Sequence, residues 1–93
     1  MLLTTELSKA ITNVITFMSK PLGVAPQDAD GPFLESCVAL ALSEDEGWSV
    51  SLAGGSGRYE LPGLLVSVPK NEEQRVADLA LAFKASLATT GNA

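Results

Sequence analysis

Hydrophobic periodicity changes twice along this chain, and that change limits the fold more than any single motif does. Over residues 4–20, Leu7, Ile11, Val14, Ile15 and Met18 recur at three- and four-residue steps, the spacing of one helix face. Leu3, Ala10 and Phe17 widen the stripe, while Ser8, Asn13, Thr16 and Ser19 fall mostly on the other side. A hydroxyl at Thr4 or Thr5 can cap the first turn, Lys20 suits the C-terminal dipole, and Pro21 is expected to stop the winding. At residues 48–52 the period drops to two. Trp48, Val50 and Leu52 alternate with Ser49 and Ser51, so a half-buried strand with the first three facing inward is expected. The helical period then returns in Val76, Leu79, Ala80, Phe83 and Leu87, widened by Leu81 and the alanines. Asn71 is the expected cap of this last helix, with Glu72 and Glu73 in its first turn. Gly91 is a natural stop, and residues 90–93 read as a fraying tail.

Between these segments the signals are shorter. "PLGVAPQDADG" holds two prolines and two glycines and reads as a loop. "FLESCVALALS", residues 33–43, is apolar on both parities, which suggests a central strand covered twice; its alanines and leucines leave a short buried helix open. "SEDEG" is a turn with a charged tip. "GGSGRYELPG" carries the glycines of a hairpin turn, since positive φ costs glycine nothing sterically. Residues 58–61 and 64–68 read as strand, broken at Pro62-Gly63 by an edge or a bulge, and Pro69 ends them. The whole is one domain of 93 residues. Its expected class is α+β: a two-layer sandwich of a three-stranded antiparallel meander, with an N-terminal and a C-terminal helix covering one face.

Composition constrains the partners. Apolar residues make up 46% and charged residues 18%, the latter below the roughly 25% usual in soluble domains. The chain therefore carries more apolar surface than two short helices hide, and a protein partner or a second copy, most simply a homodimer, would cover the excess. Net charge is −5, which argues against nucleic acid, whose phosphates demand a basic footprint. Seven carboxylates between Asp28 and Glu60 face Arg58 alone; they either solubilise turns or form an acidic face that steers a basic partner. The lone cysteine cannot form an internal disulfide, no secretory leader pattern is visible, and no apolar run spans a membrane. A cytoplasmic location is the simplest expectation.

No motif carries recognisable chemistry. The glycine run lacks the G-K-[ST] ending of a phosphate loop, and β-type residues follow it where a helix is needed. "DADG" lacks the remaining ligands of a calcium loop, and Pro32 and Phe33 follow at once. Histidine is absent, which removes the commonest general base and most zinc sites. Cys37 has no basic neighbour in sequence to lower its pKa. Neither cofactor nor metal is expected, and the chain does not read as an enzyme; catalysis would need a cofactor or subunit to bring the missing groups.

One resemblance adds to this. An N-terminal amphipathic helix, "DADG", an apolar strand, "GWSVSL" and then "GLLVSVPKNEEQRVADLALAFKASL" resemble the first half of class I type III secretion chaperones. The nearest likeness is "LLVSVP" running into a leucine-rich helix. The resemblance implies a helix–three strands–helix opening and a small, acidic, dimeric, cytoplasmic protein that binds others. The family's two further strands and final helix have no counterpart in this sequence. The expected function is thus non-enzymatic protein binding as a chaperone or adaptor; the alternative is a structural or inhibitory subunit of a larger assembly, as in accessory or phage proteins. Phe33, Cys37, Ala39 and Ala41 are the expected partner face, with Arg58 and Tyr59 at a strand edge.

Overall fold

The computed structural model describes residues 3–23, 28–52 and 58–91. Its elements run α1 (Thr5–Leu22), α2 (Gly31–Glu46), β1 (Val50–Leu52), β2 (Glu60–Leu61), β3 (Leu64–Val66), a 3-10 turn (Lys70–Glu72) and α3 (Glu73–Gly91). The class is α+β with a three-stranded antiparallel sheet, as the periodicity implies.

Local chemistry sets the ends of α1. The Thr4 hydroxyl accepts from the Leu7 N–H at 3.0 Å, satisfying one of the orphan donors of the first turn. The helix passes Pro21 and ends two residues later than expected. Gly23 takes the left-handed conformation (φ 69°), and its N–H closes on the Ser19 carbonyl at 2.7 Å. Ile11, Ile15 and Met18 are buried, whereas Phe17 is 69% exposed and does not widen the stripe. It precedes Met18 by one residue and so stands about 100° round the helix from it.

Residues 33–43 are not a strand but the body of α2, and this is the main correction to the expected order. A helix that is apolar all round is a buried one, and α2 packs against α1, α3, β2 and β3 together. Leu34, Cys37, Val38, Ala39 and Leu42 are all enclosed. Its two buried serines are tolerated because each hydroxyl donates within the helix, Ser36 to the Pro32 carbonyl (2.8 Å) and Ser43 to the Leu40 carbonyl (2.7 Å). The element lying on the sheet is thus α2, not the pair of terminal helices, which pack on α2 in their turn.

The sheet is not a meander. Its order is β1-β3-β2, which places the last strand in the chain at the centre. Pro62 and Gly63 form the two-residue turn between β2 and β3, with Gly63 at φ 82°, the value a type II turn requires after proline. Gly54, Gly55 and Gly57, expected to make a hairpin turn, lie outside the described residues.

The last helix keeps its expected stripe: Val76, Leu79, Ala80 and Phe83 are buried and Leu87 is half-buried. Leu81, 71% exposed, is off it. Asn71 does not cap this helix; it sits exposed in the 3-10 turn, which is closed by the Glu72 N–H donating to the Pro69 carbonyl. Helix α3 reaches Gly91, beyond the start of the expected tail, and Asn92 and Ala93 lie outside the described residues. The single core joins Ile11 and Ile15 of α1, the inner residues of α2, Val66 and Leu61 of the sheet, and Phe83 of α3. Each such large side chain contributes about 1.5–3 kcal/mol by leaving water.

Candidate functional site

Chain geometry after α2 places β1. Gly47 is left-handed (φ 72°), and the N–H groups of Gly47 and Trp48 both donate to the Ser43 carbonyl, a Schellman-type ending that aims the chain into the sheet. Trp48 is half-buried there, partly under the core. The strand then pairs Val50 with Val66, Ser51 with Leu65 and Leu52 with Leu64.

Directly opposed residues in an antiparallel pair share a face. Val50 and Leu52 therefore lie on the same face as Val66, Leu64 and, across the next pairing, Leu61. This is the face against which α2 packs, at β2 and β3. Leu61 and Val66 are each 3% exposed. Along β1 the cover gives out: Val50 is 40% exposed and Leu52, two residues on, is 86% exposed. The alternation expected of this strand is present, but the side chains assigned inward overhang the helical layer. On the opposite face Ser49, Ser51, Glu60 and Ser67 are exposed, and Leu65, opposed to both Ser51 and Glu60, is half-buried among them.

The backbone of β1 is equally open. The Ser67 N–H donates to the Ser49 carbonyl at 2.9 Å, so Ser49 turns its polar groups toward β3. Antiparallel residues alternate in this respect, which leaves Ser51 bonding inward and the N–H and C=O of Val50 and Leu52 pointing away from β3. Among the described residues no strand lies on that side. Native edges are usually blunted by charge, proline or a bulge. Residues 47–57 contain neither a charge nor a proline.

The residues singled out from the sequence do not form one surface. Cys37 and Ala39 are fully enclosed by a single copy, which removes the reason given for a second cover on that side. Burial pushes the Cys37 thiol up to about 12, so it stays protonated and is a poor nucleophile. Phe33, in the first turn of α2, and Ala41, two turns further on, are half-buried. Tyr59 is buried beside β2, its hydroxyl without a hydrogen-bond partner among the described residues, while Arg58 is exposed. Burial raises the phenol above its ordinary value; Arg58 opposes that and Glu73 and Glu35 add to it. The Arg58 guanidinium lies 5.5 Å from the Tyr59 ring centre and bonds Glu73 at 2.7 Å, with Glu35 at 4.0 Å. The exposure of Val50 and Leu52 is not legible in the alternation, which marks a shared face and not whether that face is covered. The signal that could have found them is the uncharged run around them in an acidic chain.

A cleft of about 230 Å³ lies between the start of α1 and the end of α2, with Thr4, Glu6, Leu7, Ala41, Asp45 and Arg75 on its walls. Arg75 is already engaged there, by Glu46 at 3.1 Å and Glu72 at 3.5 Å. Among the described residues no group of three histidine, cysteine or acidic side chains is placed to hold a metal, and no helix is long and apolar enough to cross a membrane. Compared with protein-family models, curated proteins and solved structures, the chain matches none.

Proposed function

We propose that the chain acts by binding protein, not by catalysis, as a small acidic dimeric chaperone or adaptor of the cytoplasm. The observation that carries this is the β1 overhang, where Val50 and Leu52 continue an otherwise covered apolar face into solvent. An uncovered leucine forgoes about 1.5–3 kcal/mol that contact with an apolar segment would recover. The sequence points the same way, with no histidine to move protons and too little basic charge for nucleic acid. The resemblance to type III secretion chaperones adds to it.

The test is light scattering from an aggregation-prone unfolding protein mixed with the purified chain, without nucleotide. Stoichiometric suppression is expected, and Leu52→Lys should abolish it while leaving the circular dichroism spectrum unchanged. Undiminished aggregation, with one native partner captured at fixed stoichiometry, would favour a structural or inhibitory subunit instead. Turnover of a small molecule by the pure chain would overturn the reading altogether.

A further inference from the structure

We infer that the open edge of β1 pairs with β1 of a second copy, antiparallel about a two-fold axis at Ser51, to make one continuous six-stranded sheet. This rests on the protein-binding reading and names the first partner.

Register is the first reason. The outward-pointing groups belong to Val50 and Leu52, placed symmetrically about Ser51. A two-fold through Ser51 sets Val50 against Leu52 of the partner and the reverse, so that each outward N–H meets an outward C=O. The edge is complementary to itself. Charge is the second reason. The chain carries −5 overall, so copies repel one another, yet Gly47 to Leu52, the described residues at this edge, hold no charge and bring none across the contact. Size is the third. The residue at the axis is an exposed serine, on the face it shares with Ser49, Ser67 and Leu65, so the two copies approach there with small side chains.

Pairing consumes the in-plane backbone groups and leaves the side-chain face free. Val50 and Leu52 of both copies then form one doubled apolar strip, flanked on either side by the helices of each copy. That strip is where a client segment would lie.

The experiment uses the full chain carrying Ser51→Cys. Residues directly opposed without mutual hydrogen bonds stand about 4.5 Å apart at Cα, within the range of a disulfide. Mild oxidation should convert this variant to a covalent dimer, detected by mass. Ser67→Cys, on the same polar face but one strand inside, should stay monomeric, and buried Cys37 does not compete. Sedimentation of the unmodified chain should show a dimer. Val50→Pro, which deletes an outward N–H and spares the ladder to β3, should weaken that dimer about tenfold or more, since two bonds are lost per pair. A chain that sediments as a monomer, equal cross-linking of the two cysteine variants, or a dimer indifferent to Val50→Pro would each overturn the pairing. A monomer that still suppresses aggregation would sink the pairing alone; a dimer that ignores unfolded clients would sink the binding function alone.

Discussion

The two edges of this sheet are built to opposite rules. At β2 the strand is two residues long, Glu60 is exposed, Pro62 follows directly, and the apolar side chains Tyr59 and Leu61 are sealed by helix. Arg58 adds charge there and is held by Glu73. At β1 there is no charge and no proline, and the apolar side chains stand in water. One edge thus has the protection that keeps foreign strands away, and the other lacks it. That difference between two edges of the same small sheet is what the proposed contact at β1 rests on.

Substitutions can break that contrast in order of size. Leu61→Ala at the guarded edge should lower stability by about 2–4 kcal/mol in urea denaturation, because it opens a cavity under α2. A loss below 1 kcal/mol, read from the same curves, would mean that the guarded edge is not packed. Tyr59→Phe removes a buried hydroxyl that has no partner among the described residues and should raise stability by about 1 kcal/mol. Destabilisation by that variant would reveal a hydrogen bond and a more polar edge than described. Arg58→Ala should lower stability by about 0.5 kcal/mol, an effect that fades in high salt, since its pairing with Glu73 is largely exposed. Leu52→Ala at the open edge should change the stability of the isolated copy by less than about 0.5 kcal/mol. The same variant should weaken association measurably. A large stability change without any change in association would place Leu52 in a core and erase the difference between the edges.

How much of this was readable beforehand depends on what each pattern encodes. Helices α1 and α3 were legible because each is buried along one stripe, and a stripe leaves a period in the sequence. Helix α2 was not, because burial from several sides erases the period; "FLESCVALALS" looks the same as a doubly covered strand. In β1 the alternation told correctly which side chains share a face. It carried no information on whether a helix extends over that face, which depends on where α2 ends relative to the sheet. Strand order is a long-range property as well, so the central position of β3 left no local mark. Phe17 and Leu81 differ from expectation for a simpler reason: each is apolar but stands one step off its helix's buried stripe.

Helix α2 has a consequence for how such a sequence can vary. Touched by both other helices and by two strands, it offers little outer surface on which a larger residue could be accommodated. Ser36, Cys37 and Ala39 are small and fully enclosed, so drift among descendants of this gene should be slow there and fast along the outer faces of α1 and α3.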